Sequence, residues 1–352
     1  MLSFLLRRLG QGLLVLVGVA TVVFFLFNVL PGDPAALLAG QRSDLATKAA
    51  IRADLGLDQP LPARLAGYLN DASPLGIHPR DSAGVARYGG VALLPLGQRA
   101  LVLKWPYLRR SFQSNQDVLT ILLDRFPGTL WLALAAMLLA AGLGVGLGVA
   151  AALRPQSWLD RILVTSSVFG ISVPSFVAAI LIAVTFGFYW SHWTGLSLTG
   201  QLYETDPFTG QRHLVLRNLL LPAVALGVRP LAIIMQLTRS SMLDVLSQDY
   251  IRTARAKGLS AGRTVWRHAL RNALNPVVTA VSGWLASLMA GAFFIEYIFN
   301  WKGLGTTTLQ AVENLDFPVV MGATLFVAAI FVLINIAVDM LYALLDPRVK
   351  IS

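Results

Sequence analysis

The 352-residue sequence contains no cysteine, which excludes a disulfide framework, a thiolate metal site and a cysteine nucleophile. Charge is scarce as well: charged residues make up 13% of the chain and hydrophobic residues 56%, where soluble domains carry about 25% charged residues. Mean hydropathy is +0.66. A soluble fold of this size could not cover its exterior with so few charges, so the bilayer must do the covering and the chain reads as a polytopic membrane protein. The four histidines (His78, His192, His213 and His268) are scattered among loops and predict no metal cluster. There is no Gly-x-x-x-x-Gly-Lys-Ser/Thr phosphate loop and no His-Glu-x-x-His, so neither ATP binding by that loop nor zinc hydrolysis is expected. No catalytic constellation remains, and neither enzyme activity nor a cofactor is predicted. The series Gly142, Gly144, Gly146, Gly148 lies inside an apolar run at small-x-x-x-small spacing, which predicts close helix packing rather than a dinucleotide loop.

What the sequence does hold is apolar runs of spanning length, about 20 residues each. Six are found: Leu9–Leu30, Gly128–Leu153, Ile162–Trp190 with Pro174 inside, Leu219–Thr238 with Pro222 and Pro230, Val277–Ile295, and Val319–Leu345. The first is longer than the 7–15 residues of a signal core and reads as an uncleaved helix. Orientation follows the basic residues. With the N-terminus cytoplasmic, inside segments hold 13 Lys and Arg and the two short outside loops hold 3, so both termini are expected in the cytoplasm. The division is then a first transmembrane helix (1–30), an extracytoplasmic insert (31–116), a transmembrane domain (117–345) with a cytoplasmic loop (240–276), and a tail (346–352). In the long outside loop, about Pro31 to Pro127, 11 basic residues are nearly balanced by 8 Asp. There Ser43–Leu55 reads as a capped helix ended by Gly56, and Ala63–Leu69 as helical. Asp81–Gly97 shows no clear periodicity, and the expected result is a small, partly ordered cap.

The loop from Arg239 to Pro276 is too long for a simple connection. Leu243, Leu246, Tyr250 and Ala254 recur at helical spacing, so Ser240–Lys257 reads as one amphipathic helix. Gly258 sits where a left-handed residue ends it, and Ser260 is the expected N-cap of a second helix. On that helix Trp266, Leu270 and Ala273 line one face and Arg263, Arg267 and Arg271 another, with Pro276 at the start of span five. A basic amphipathic pair at the membrane surface fits either a lipid-resting loop or a docking element for a cytoplasmic partner. Nucleic acid is poorly served by a helix tethered between two spans.

The run Tyr250-Ile251-Arg252-Thr253-Ala254-Arg255-Ala256-Lys257-Gly258-Leu259, followed by His268-Ala269-Leu270-Arg271-Asn272-Ala273-Leu274-Asn275-Pro276, resembles the EAA loop of binding-protein-dependent ABC importer permeases. The resemblance is greatest to the first permease subunit of the dipeptide and oligopeptide branch. Pro31-Gly32-Asp33-Pro34-Ala35, Leu55-Gly56-Leu57-Asp58-Gln59-Pro60-Leu61, Val173-Pro174-Ser175-Phe176, Leu237-Thr238-Arg239-Ser240-Ser241-Met242, Glu296-Tyr297-Ile298-Phe299 with Gly303-Leu304-Gly305, and Asp346-Pro347-Arg348 agree in order. Two positions depart from the general pattern: Arg252 stands where it has Glu, and Arg271 where it has Pro. Both departures look like the peptide branch.

The resemblance implies an all-α membrane protein with six spans, the type I ABC importer permease fold, in the cytoplasmic membrane. It implies that Asp249, Tyr250, Ile251, Arg252, Thr253, Ala254, Lys257, Gly258 and Leu259 form a coupling helix seated in an ATP-binding subunit, with Tyr250, Ile251 and Ala254 presenting small or apolar contacts. The implied partners are a second permease subunit, two ATP-binding subunits, an extracytoplasmic binding protein and a peptide substrate. Two further residues are pathway candidates. Arg229 lies near the middle of span four, where a buried pairing that holds helices together is preferred over contact with a peptide carboxylate. Glu296 ends span five on the outside and is a candidate for lining an outer gate. Asp339 lies low in span six and needs no special role. The rival classes are a secondary transporter, which would need acidic residues near the midplane, and a permease for a non-peptide substrate such as nickel.

Overall fold

Long apolar runs become helices here, which carry Pro127, Pro222, Pro230 and Pro276 inside them, while Pro174 stands at a break. The computed structural model describes residues 2–29, 52, 58–79, 88, 90–206 and 208–345. All but Arg52 of the expected helix Ser43–Leu55, the Pro31–Ala35 and Asp346–Arg348 motifs, and the first three residues of Leu55–Leu61 lie outside them. In chain order the elements are α1 (Leu2–Val29), α2 (Leu61–Ala72), β1 (Leu75–Pro79), β2 (Val91–Leu96), β3 (Arg99–Leu103), α3 (Val118–Leu153), α4 (Trp158–Ser172) and α5 (Ser175–Ile182). Then come β4 (Tyr203–Thr205), β5 (Arg212–Leu214), α6 (Arg217–Leu246), α7 (Asp249–Ala256), α8 (Leu270–Gly291), α9 (Phe293–Ile298), α10 (Leu304–Glu313) and α11 (Phe317–Leu345). Among the described residues four helices are long and apolar enough to cross a membrane, and five if a bent pair counts as one span. The chain divides into two compact units, residues 1–125 with 307–352, and residues 126–306.

In the first unit α1 and α11 run antiparallel. Arg8 pairs with Asp339 at 3.1 Å, a Cβ on Gly12 would come within 2.5 Å of Val332 Cγ1, and the Phe27 and Phe317 rings lie 5.6 Å apart. Glycine at position 12 is what lets the two backbones approach. The buried Asp316 carboxylate ties the stretch before α3 to the start of α11, accepting from Ser111 Oγ at 2.5 Å and from the Phe112 amide at 2.9 Å.

Two small sheets, one in the insert and one before α6, correct the all-α expectation. β1, β3 and β2 form an antiparallel sheet in that order, and β4 pairs with β5 in a second, two-stranded one. The stretch without periodicity contains β2, whose register against β3 is interrupted by a bulge between Ala92 and Leu94. Its six residues are all exposed and none is polar, so it lacks the two-residue alternation by which a strand is read. At the other edge Asn70 does the work of a further strand, donating to the Ile77 carbonyl at 3.1 Å and accepting from its amide at 2.7 Å. Tyr68 of α2 packs on Phe24 of α1 with ring centroids 5.7 Å apart.

In the second unit α6 is the hub. Cβ atoms on Gly144 and Gly148 would lie 2.8 Å from Ile234 Cγ2 and 2.6 Å from the Met235 carbonyl oxygen, and one on Gly227 would lie 2.9 Å from the Ala136 carbonyl oxygen. One half of the glycine series therefore seats α3 on α6, while Gly142 and Gly146 meet nothing within 4 Å. Span three is not one helix. Pro174 removes an amide donor and holds Val173 extended (φ −73°, ψ 128°), so α4 stops and the following α5, prolonged by a π-helical stretch Ala183–Tyr189, leaves at 110°. The fifth run is likewise divided, at Ala292 between α8 and α9, and Pro276 lies inside α8 instead of marking its start.

His78 on β1 is almost fully buried and stacks on Tyr88 at 3.9 Å. Its Nε2 has no hydrogen-bond partner among the described residues. Tyr88 Oη donates to Asp71 at 3.2 Å, while Lys104 donates to the carbonyls of Asp71 and Ser73. Burial pushes the His78 imidazole below its ordinary value, Lys104 pushes the same way, and Asp71 opposes them. A histidine held neutral by the fold binds fewer protons folded than unfolded, so its contribution to stability is present above the unfolded value of about 6.5 and is lost as pH falls below it. Amide exchange across residues 75–79 and 99–104 is therefore expected to be faster at pH 5.5 than at pH 7.5 after correction for intrinsic rates. His78→Gln is expected to flatten that difference, and equal protection at both pH values in the unsubstituted chain would contradict it.

Candidate functional site

The loop from Arg239 to Pro276 folds into two helical pieces joined by a tight turn, with a different division from the expected one. α6 continues to Leu246, the chain turns at Ser247 and Gln248 (φ −72°, ψ 149° at Gln248), and α7 begins at Asp249. The single helix Ser240–Lys257 is thus two. α7 ends in a full Schellman closure: Gly258 N donates to the Arg255 carbonyl at 2.9 Å and Leu259 N to the Ala254 carbonyl at 3.3 Å, with Gly258 at φ +81°. A Cβ at Gly258 would meet nothing within 4 Å, so the backbone angle and not space demands glycine there.

The orientation of α7 corrects the expected roles of its apolar residues. Ile251 is 0% exposed and joins a core with Val149 and Ala152 of α3, Met242 of α6, and Val265, Ala269, Leu270 and Ala273. Ala254 is buried too. These two residues hold α7 to its own bundle and are not available to a partner, because an eight-residue amphipathic helix has one apolar face and the bundle has taken it. The free face is polar: Asp249, Tyr250, Arg252, Thr253, Arg255 and Lys257 are exposed, and Asn272 Nδ2 steadies Tyr250 by donating to its hydroxyl at 2.9 Å. Arg252 and Asp249 pair at 3.5 Å while largely exposed, a pairing of little energetic weight that leaves the cations presented. Asp249 in the first turn and Arg255 in the last both suit the helix dipole.

After Gly258, Ser260 stands at the N-cap position of a short helical turn, Ala261–Arg263, as expected, but its side chain makes no cap hydrogen bond. A π-helical stretch, Thr264–Ala269, precedes α8. Its extra residue per turn rotates the faces, so that Val265 and Ala269 are buried and Trp266, expected to share a face with Leu270 and Ala273, is 66% exposed while those two are buried. Arg263, Arg267 and Arg271 are all exposed, as their spacing predicts.

Beside this loop lies a link that sequence reading missed. Arg239 of α6 donates from Nε and Nη2 to the two Asp160 oxygens of α4 at 2.5 and 2.8 Å, and the Gln156 amide donates to Asp160 at 2.9 Å. Asp160 is 4% exposed. This fork-to-fork pairing fixes direction as well as distance. It ties the last turns of α6, directly before α7, to the first turn of the broken helix pair α4–α5. The available signal was Ser157-x-x-Asp160 ahead of an apolar run, a helix-start pattern: Ser157 Oγ accepts from the Asp160 amide at 3.3 Å.

The two pathway candidates are not brought together. Arg229 is exposed on the chain's surface, with no ion pair or hydrogen bond among the described residues, so the expected internal pairing is corrected: the structure gives this cation no partner within the described chain. Glu296 faces no open space. It is 0% exposed, accepts from Thr129 Oγ1 at 2.6 Å and from the Thr306 amide at 3.0 Å, and also from the Gly305 amide. It therefore caps the N-terminus of α10 from α9, and Trp301 completes the fastening by donating from Nε1 to the Gly128 carbonyl at 2.9 Å. The Glu-Tyr-Ile-Phe and Gly-Leu-Gly segments are two sides of one carboxyl-to-helix contact.

The profile of the family described as the binding-protein-dependent transport system inner membrane component matches residues 144–351. A second, for the N-terminal part of such membrane components, matches residues 1–76. The chain is 37% identical over 369 residues to the di/tripeptide transport system permease protein DppB of Pseudomonas aeruginosa (strain UCBPP-PA14), with 99% of each covered. It is 34% identical over 370 residues to the dipeptide transport system permease protein DppB of Escherichia coli (strain K12), again with 99% of each covered. A putative peptide transport system permease protein of Brucella abortus (strain 2308) is 38% identical over 355 residues, 99% of each chain. Among solved structures, an inward-facing MetNI methionine ABC transporter is similar with a TM-score of 0.50 at 18% identity, covering 65% of this chain and 97% of that one, which is a likeness of fold.

Ile251→Ala opens a cavity under α7 and is expected to weaken its docking by about 2–4 kcal/mol. Gly258→Val forces a β-branched residue to positive φ, at a cost of roughly 1–2 kcal/mol or more. Both are expected to raise amide exchange selectively over residues 247–260 in the detergent-solubilised protein, while Arg252→Ala leaves it unchanged. Uniform protection in all three would contradict the assigned anchoring.

Proposed function

Since the chain belongs to the binding-protein-dependent transport system inner membrane components, we propose that it forms half of the translocation pathway of an ATP-driven importer of di- and oligopeptides. The other half is a second permease subunit. Two ATP-binding subunits supply the hydrolysis, and an extracytoplasmic binding protein delivers the peptide. The permease relatives supply the peptide reading, and α7 supplies the mechanical one: its apolar face is keyed into the bundle, so the exposed face that carries Tyr250, Arg252, Thr253, Arg255 and Lys257 is what an ATP-binding subunit grips.

Force applied there has two routes into the spans. One is the core around Ile251, which touches α3, α6 and α8; the other is the Arg239–Asp160 fork into α4. Six spans and cytoplasmic termini belong to the same proposal. α8, which holds the fifth run, brings the count to six: its 22 residues reach about 33 Å at 1.5 Å per residue, enough for a hydrocarbon core of about 30 Å. The excess of inside basic residues sets the direction. The division into residues 1–30, 31–116, 117–345 and 346–352 is retained as proposed, with the coupling element inside 240–276. In that setting Arg229 faces the second permease or the water-filled pathway, since an exposed mid-span cation requires protein or water.

Dipeptide uptake by cells that depend on this importer tests the reading. Gly258→Val and the charge reversal Arg255→Glu are expected to reduce uptake at least about tenfold at unchanged membrane abundance, and basal ATP hydrolysis by the purified complex is expected to persist. Uptake at the unsubstituted rate by both variants would contradict the coupling role.

A further inference from the structure

We propose that a polar cleft in the second unit receives the charged ends of a short peptide. The proposal deepens the importer reading above and rests on it. The cleft has a volume of about 510 Å3 and is lined by Gly200, Gln201, Tyr203, Glu204, Asn300 and Lys302, among others. Its walls come from the β4 region and from the loop after α9, both of which join spans on the side assigned to the exterior.

Three observations carry the inference. First, the cleft contains one carboxylate and one ammonium, Glu204 and Lys302, and neither is in an ion pair among the described residues. Opposite charges that share a small cleft without bridging are held apart by their frames. The frame is visible for Glu204: Asn218, itself 8% exposed, donates to Glu204 Oε1 at 2.6 Å and to the Gln201 carbonyl at 3.1 Å. That leaves Oε2 without a hydrogen bond among the described residues. Lys302 follows Trp301, which is anchored on Gly128.

Second, the volume lies in the range of small-molecule sites, roughly 300–1,000 Å3, and an extended dipeptide is only about 7 Å long. Third, the side chains that line it are polar, with Tyr203 as the aromatic exception. Such a site grips the ends that every short peptide shares, the α-ammonium at Glu204 and the α-carboxylate at Lys302, and is indifferent to side chains. Two exposed charge pairs hold a ligand weakly, and weak holding is what a site on a conduction route needs.

The absence of native cysteine makes the test direct. Thr199→Cys places a single thiol in the cleft, with Thr205→Cys as a second reporter. Each is treated with a membrane-impermeant thiol reagent in right-side-out vesicles that carry the assembled importer without binding protein. Dialanine is expected to slow modification, and N-acetyl-dialanine amide, which lacks both charges, is expected not to. Adding Glu204→Gln or Lys302→Gln to the reporter is expected to raise the half-protecting dialanine concentration about tenfold, the scale of one charged hydrogen bond. Modification from outside with no slowing by dialanine, or with equal slowing by the blocked peptide, overturns the cleft proposal and leaves the importer reading standing. Protection by unliganded binding protein with none by dialanine assigns the cleft to protein docking and also overturns it. Modification only from the cytoplasmic side overturns the assigned orientation and the cleft proposal together.

Discussion

Burial of Ile251 is the constraint on which the account depends. α7 is too short to be stable alone in water, yet it stands at the surface of the bundle as a defined helix because one face is packed against residues of α3, α6 and α8. The same packing determines which residues look outward. Had α7 turned its apolar face to a partner, its cations would lie against the bundle and no rigid connection would join the helix to the spans. With Ile251 and Ala254 inside, the exposed face is polar and charged, and the apolar face joins α7 to α3, α6 and α8.

Two features make that joint stiff in the direction that matters. The Schellman closure at Gly258 ends α7 without fraying, so a displacement of the helix reaches the π-helical stretch and α8 within a few residues. The Arg239–Asp160 fork sits at the other end, where α6 leads into α7, and reaches the broken pair α4–α5. A helix pair bent by 110° at Pro174 has fewer backbone hydrogen bonds resisting rotation at the bend than a continuous helix would have, so it is a natural place for motion to appear.

Much of this was legible in the residues. Long apolar runs gave α1, α3, α6 and α11 to within a few residues at most ends, and Gly258 was readable as a left-handed stop because no other residue type tolerates that angle as cheaply. The divisions inside the loop were not readable: Ser247 and Gln248 carry no breaker signal, and a π-helical stretch has no composition of its own, so Trp266 was assigned to a face it does not occupy. The sheet in the insert escaped for a related reason, since Val91–Leu96 is apolar throughout and exposed at every residue, without the period that identifies a strand. Glu296 and Asp160 were hidden differently. Both act on groups far away in sequence, Thr129 for the one and Arg239 for the other, and a lone carboxylate beside an apolar run does not say whether it meets a pathway, a hydroxyl or a guanidinium.

The assignment of α7 as the joint between this chain and an ATP-hydrolysing subunit is tested most directly by cross-linking. A single cysteine at Thr253, on the exposed face, is paired with cysteines placed one at a time along the surface groove of the ATP-binding subunit in the assembled complex. The account predicts disulfide formation at a restricted set of groove positions, with dipeptide uptake abolished on oxidation and restored on reduction. Failure of Thr253→Cys to cross-link at any groove position, or full uptake while the cross-link is intact, would contradict it.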